Sequence, residues 1–211
     1  MGRATNRLNH LILEESFALI DREMGEHSLT PLEYAIVRRA IHATADFELA
    51  GLTYFSPDAI EKGIAALSNC IPIVVDVTMI RQGIANMVRK TFGNEIIAAI
   101  EHCDEPLPGK TRTETGLIRC FAEYPEAIYA IGNAPTALIA LCQRLSDSSP
   151  KPALIIGSPV GFVNVVESKQ MLAKIDIPQI RIEGRKGGSP ATSAILNALC
   201  NLAYDRYSIG T

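Results

Sequence analysis

The hydrophobic pattern changes character about one third of the way along the chain. Residues 7–24 place Leu8, Leu11, Ile12, Leu19 and Ile20 at spacings of three and four, an amphipathic stripe that predicts a helix ending at Gly25. A second helix, 31–45, has a clear start: Thr30 can cap it, Pro31 suits the first helical position, and Glu33 completes a T-x-x-E capping box. A third helix is predicted over 57–69, after Ser56-Pro57. From residue 71 the pattern becomes short apolar runs: Ile73–Val75, Ile96–Ile100, Ile128–Ile131, Leu154–Ile156 and Ile180–Ile182. Helical segments near 113–123, 134–146, 164–174 and 190–204 alternate with them or follow. Short buried strands alternating with helices predict βαβ units and a mostly parallel sheet covered on both faces. The expected architecture is a single three-layer α/β/α domain over 1–211, with five strands in 71–211 and helices appended in about 1–70.

Composition narrows the function. The chain has 211 residues, 47% of them hydrophobic, so it can bury a full core and is not disordered. With 20 Lys+Arg against 23 Asp+Glu there is no basic excess to neutralise phosphates, which argues against general nucleic-acid binding. The uncharged stretches 127–143, 152–166 and 187–204 are broken by Gly, Pro or Asn and fall short of the ~20 apolar residues of a membrane span. No signal peptide or lipidation motif opens the chain; Asn6 stands where myristoylation needs Ser or Thr. The five cysteines, Cys70, Cys103, Cys120, Cys142 and Cys200, are odd in number, widely spaced and without C-x-x-C. They read as reduced, buried thiols of a cytoplasmic protein rather than a disulfide framework or zinc site.

Candidate chemistry falls in four places. Ligands of open parallel sheets bind beyond the carboxyl ends of the strands. Those loops here are rich in Gly and Pro: Cys103–Gly116, Gly132–Pro135, Gly157–Gly161 and Gly184–Pro190. Neither Gly157–Gly161 nor Gly184–Pro190 is a dinucleotide fingerprint or a P-loop, so tight turns are the simpler reading. On the 31–45 helix, steps of four, three and four align Ala35, Arg39, His42 and Asp46. That stripe is either a solvated salt-bridge face or a site in which Arg39 holds an anion and His42 moves a proton. Ser16 lies between Ile12 and Ile20 on the first helix, where its hydroxyl can bond back to the preceding turn. Lys110–Gly116 opens a helix with a possible second capping box, Thr111-x-x-Glu114, and Lys110 and Arg112 could receive a carboxylate or phosphate. His102 and Cys103 are adjacent but have no third ligand at metal spacing, and His10 and His27 read as surface residues.

Several of these segments together resemble one family. Arg39-Ala-Ile-His-Ala-Thr-Ala-Asp46 resembles the histidine motif of the precorrin-8X methylmutases of cobalamin biosynthesis. So do Gly157-Ser-Pro-Val-Gly-Phe-Val-Asn-Val-Val-Glu-Ser-Lys169 and Gly187-Gly-Ser-Pro-Ala-Thr-Ser-Ala-Ile-Leu-Asn-Ala-Leu199. Val75-Asp-Val-Thr-Met79 and Gly93-Asn-Glu95 match in the middle. The resemblance implies a flavodoxin-like fold and an isomerase that moves a methyl group from carbon 11 to carbon 12 of a contracted tetrapyrrole. The 1,5-sigmatropic shift would convert precorrin-8X or cobalt-precorrin-8 to hydrogenobyrinic or cobyrinic acid. It further implies His42 as proton donor and acceptor, no cofactor and no metal, a homodimer, and hand-over of the product to the next enzyme. Ser16, Arg39, Thr78 and Arg112 become substrate-binding residues for an anionic corrinoid. The chain departs from the family pattern at Thr113-Glu-Thr-Gly116, where Glu114 adds negative charge beside Arg112. It matches only loosely over 84–92, which is expected to be a mobile loop closing over a partner's site. Two other classes remain open: a non-catalytic corrinoid carrier of the same fold, and a flavin- or nucleotide-binding domain.

Overall fold

The computed structural model describes residues 11–145 and 150–208. The N-terminal part holds α1 (Leu11–Met24), α2 (Pro31–Thr44), the one-turn α3 (Leu49–Leu52), β1 (Thr53–Phe55) and α4 (Ala59–Ser68). Then come β2 (Ile73–Val75), α5 (Thr78–Lys90), β3 (Ile96–Ala98), α6 (Arg112–Glu123), β4 (Ile128–Ile131) and α7 (Pro135–Leu145). The chain continues with β5 (Leu154–Gly157), α8 (Val165–Ala173), β6 (Gln179–Ile182) and α9 (Ser189–Ser208).

One sheet runs β1-β6-β5-β4-β2-β3. All neighbours are parallel except β1, which pairs antiparallel with β6 in the register Thr53↔Ile182 and Phe55↔Ile180. Side-chain alternation divides the core in two. Ile73, Val75, Ile128, Ala130, Ile156 and Ile180 pack toward α4, α5 and α9, with α2 against α9. Val74, Tyr129, Ile131 and Ile155 face α6, α7 and α8. Strands β2, β4, β5 and β6 are buried along their whole length; β2, β4 and β5 accordingly read as apolar runs, while β6 alternates Ile180 and Ile182 with buried Gln179 and Arg181.

The expected elements form with small shifts in their ends. The Thr30 capping box is complete: the Thr30 hydroxyl accepts from Glu33 N at 3.3 Å, and the Glu33 carboxylate accepts from Thr30 N at 2.8 Å. α1 ends before Gly25, whose φ is +61°.

Several expectations are corrected. The sheet has six strands, not five. β1 was hidden because it is three residues long and its middle residue, Tyr54, is exposed. The segment 84–92 is no loop; most of it is α5, with Ile80, Ile84 and Val88 buried at steps of four. Gly83 obscured that helix, yet it has a packing role: a Cβ there would run into the Ser193 side chain of α9. The second apolar run, Ile96–Ile100, stops pairing at Ala98 and turns into a 3-10 turn, Ala99–His102. On α1 the buried residues are Phe17 and Ile20, while Leu11, Ile12 and Leu19 are exposed; the predicted start, with Leu8 and His10, lies outside the described residues. Cys70 is exposed at a left-handed position, and the other four thiols are buried and free. Among the described residues no helix is long and apolar enough to cross a membrane.

Candidate active site

The two ends of the sheet's carboxyl edge are built differently. In the middle, between β2 and β4, the strand order changes direction, the place where doubly wound sheets hold ligands. Here Asp76, fully buried at the end of β2, accepts hydrogen bonds from Gly132 N (3.2 Å), Asn133 N (2.7 Å) and Ala134 N (2.7 Å). Its carboxyl is pushed up by burial, against the pull of those three amides. The crevice is thus joined by the protein's own groups.

Toward β6 the arrangement opens. α2 ends at Thr44, and Ala45 takes the left-handed cap conformation with φ 54°. Asp46 therefore leaves the helical stripe. It meets Lys186 of the β6–α9 loop at 2.8 Å, and Glu48 meets the same ammonium at 3.0 Å. These pairs tie the end of α2 to a loop at the carboxyl edge.

His42 stands in the last turn of α2, exposed on one side, with the Phe17 ring edge-on at 5.5 Å. Partial burial first, and the Arg39 charge second, pull its pKa below the usual 6.5. Arg39 lies one turn earlier, half-buried, in a cleft lined also by Phe17, Ala35, Asn201 and Asp205. Burial lowers its pKa as well. No hydrogen bond or ion pair to Arg39 is found among the described residues, and the buried Asn201 Oδ1 beside it also lacks a partner. A desolvated guanidinium without a counterion is an anion site in waiting. Its neighbour Arg38 differs: it pairs with Asp21 at 2.9 Å and lies over the Phe17 ring at 4.4 Å.

The remaining predicted residues are scattered. The Ser16 hydroxyl donates to the Ile12 carbonyl at 2.9 Å, the back-bond its position allowed. Thr78 is exposed at the first turn of α5, beyond β2. Arg112 opens α6 and donates to the Cys103 carbonyl at 3.3 and 3.2 Å. Thr78 starts α5, which packs on α9 on the same face of the sheet as α2, whereas Arg112 starts α6 on the opposite face. Within one copy Arg39 and His42 come together with α1 beside them, while Arg112 bonds the Cys103 carbonyl on the opposite face and no hydrogen bond or ion pair joins Thr78 to the pair among the described residues. The second capping box is only half made. Thr111 accepts from Glu114 N at 3.1 Å, but the Glu114 carboxylate pairs with Lys110, which removes its charge from Arg112's account.

The family described as precorrin-8X methylmutase matches residues 11–202. The chain belongs to that family. A cobalt-precorrin-8 methylmutase of Synechocystis sp. is 52% identical over 93% of this chain and 97% of its own. Another, of Priestia megaterium, is 42% identical over 90% and 86% of the two chains. The crystal structure of a precorrin-8X methyl mutase from Thermus thermophilus superposes with a TM-score of 0.86 at 43% identity, covering 93% and 99%. Precorrin-8X methylmutases are isomerases of cobalamin biosynthesis, intramolecular transferases, and this chain is one by family.

Two buried charged residues near the carboxyl edge were not singled out by sequence reasoning. Asp76 organises the loop after β4 rather than the Arg39–His42 pair, and an acid directly after an all-apolar strand was the available signal. Lys169 was quoted only inside a motif, yet it is fully buried and donates to the Gly184 carbonyl at 2.8 Å and the Lys186 carbonyl at 2.7 Å. Burial lowers its pKa to about 8. Its place on the inner face of α8 could not be told from an exposed one by spacing alone.

Proposed function

We propose that the protein catalyses the carbon-11 to carbon-12 methyl shift on precorrin-8X or cobalt-precorrin-8, with His42 giving a proton to the ring system and taking it back. The observation that carries this reading is the pair Arg39–His42. It joins a guanidinium without a counterion to an imidazole kept neutral by burial and by that same charge. A carboxylate of the substrate docking on Arg39 would cancel the repulsion and raise the His42 pKa when the ring is in place. The acid is thus produced where it is used. A sigmatropic shift needs no nucleophile or leaving group; positioning and polarisation of the conjugated ring are what the protein supplies.

Ser16, on α1 beside this pair, is read as a further contact, its hydroxyl free to turn from Ile12 to the substrate. Thr78 and Arg112 are read as gripping substrate from across a homodimer, since within one copy neither bonds to the Arg39–His42 pair among the described residues. The exposed Leu11, Ile12 and Leu19 of α1 support a second copy covering that helix. We read the chain as a single domain, because α2 and β1 pack on α9 and β6. The five parallel strands, in the order β3-β2-β4-β5-β6, support a flavodoxin-like sheet with one antiparallel strand added at its edge.

The purified protein, offered the metal-free and the cobalt-bound precursor separately, is expected to convert at least one, followed by the change in visible spectrum. Binding of either without conversion would make it a carrier and overturn the catalytic reading.

A further inference from the structure

Two loops at the carboxyl edge of the sheet are held side by side. Residues 158–164 follow β5 and residues 183–188 follow β6. Gly161 N donates to the Arg185 carbonyl at 3.2 Å, and Gly188 N to the Ser158 carbonyl at 2.8 Å. Gly187, with φ +135°, passes so close to the Ser158 carbonyl that a Cβ would collide with it. The Ser158 and Thr192 hydroxyls bond at 2.6 Å inside the fold. From below, buried Lys169 fastens the carbonyls of Gly184 and Lys186.

On this fixed frame the side chains point the wrong way for a core. Phe162 is 85% exposed, Val163 77% and Val160 47%. The Gly161–Arg185 backbone bond tethers the loop directly beside the exposed Phe162 ring. Arg185 lies with its guanidinium 5.7 Å from the Phe162 ring centroid, and no ion pair to it is found among the described residues. The adjacent cation is handled in the opposite manner, since Lys186 is neutralised by both Asp46 and Glu48. The double loop therefore offers a flat apolar surface and one uncommitted guanidinium. Through the Lys186–Asp46 pair it is joined to the end of α2 that carries His42.

We propose that Phe162 and Arg185 are specificity-determining residues of the methylmutase. Phe162, with Val160 beside it, receives a face of the conjugated macrocycle, and Arg185 pairs with one of its peripheral carboxylates. The proposal rests on the function proposed above. The chemistry that selects this occupant is the combination on one rigid loop pair: an aromatic face takes a flat apolar body, and a free guanidinium beside it takes an anionic rim. A second copy of the chain is the other candidate for such a patch, and the experiment separates the two.

The test is titration of hydrogenobyrinic acid into the full-length protein, for the native chain, Phe162→Ala, Phe162→Tyr, Arg185→Ala and Arg185→Lys. Sedimentation velocity and thermal melting accompany each. Phe162→Ala and Arg185→Ala are each expected to weaken binding about tenfold with unchanged oligomeric state and melting temperature. Phe162→Tyr should restore native affinity. Arg185→Ala should also flatten the salt dependence of binding, and Arg185→Lys should recover that dependence but only part of the affinity. Affinities of both alanine variants within twofold of native would overturn the proposal. So would a loss of affinity that appears only together with dissociation of the oligomer, which would assign the patch to a second copy. If the native protein itself takes up no corrinoid, the function proposed above fails instead.

Discussion

The middle of the sheet and its β6 side face the same direction but treat their polar groups in opposite ways. Between β2 and β4, both carboxylate oxygens of buried Asp76 accept from backbone amides, three in all. Beside β6, Arg39 lacks a counterion, His42 lacks a hydrogen bond among the described residues, and Phe162 and Arg185 point outward from an immobilised backbone. Asp76 and Arg185 both follow the carboxyl ends of strands, the place where ligands are expected, and Arg39 and His42 stand on α2 beside α9. Only one of the two regions leaves interactions unmade. A fully satisfied charge reports on folding, and an unsatisfied, partly desolvated one reports on a ligand.

Substitution should separate the two regions cleanly. Asp76→Ala removes the acceptor of three amides, two of them on buried residues, and is expected to destabilise the fold by about 3 kcal/mol. Chemical denaturation would measure this, while product affinity of the folded fraction should stay native. Arg39→Met should do the reverse. Removing a charge–carboxylate contact is expected to cost about 2 kcal/mol of corrinoid affinity, some thirtyfold. Stability should be unchanged or higher, because an uncompensated half-buried charge has been deleted. A fall in stability with intact affinity would show that Arg39 is structural and dissolve the contrast.

The smallest effect is in pH. In the proposed reaction the His42 imidazolium is the reactive form, and burial and the Arg39 charge pull its pKa below the usual 6.5. The value of kcat/KM should therefore fall as pH rises through that depressed pKa. In the complex, substrate carboxylates raise the pKa, so kcat should fall only at higher pH. A kcat/KM that climbs over the same range would contradict the assignment.

Much of this was legible in the sequence, for identifiable reasons. Buried parallel strands announce themselves as apolar runs, and Thr30-Pro31 with Glu33 marked the start of α2 because capping is local chemistry. What was lost depends on tertiary contact. α5 hides behind Gly83, whose lack of a side chain only makes sense against Ser193 of α9. β1 exists because β6 offers it an edge. The stripe through Asp46 failed for a local reason, since the helix ends in a left-handed residue at Ala45 and sends the carboxylate to Lys186 instead. Within the site, Arg39 and His42 were visible as a helical pair, and their shared electrostatics follow from that spacing. That Arg112 opens a helix on the face of the sheet opposite α2 could not be read without the packing of the layers.

The central claim is that His42 moves the proton and Arg39 sets the conditions for it. The most direct measurement is a single-turnover experiment with His42→Ala, in which precursor and excess enzyme are mixed and the visible spectrum is followed, alongside titration with product. The account predicts that conversion slows at least a hundredfold while product binds within a few-fold of native. Conversion at the native rate by His42→Ala would contradict it and leave the histidine as a bystander to a reaction driven by geometry alone.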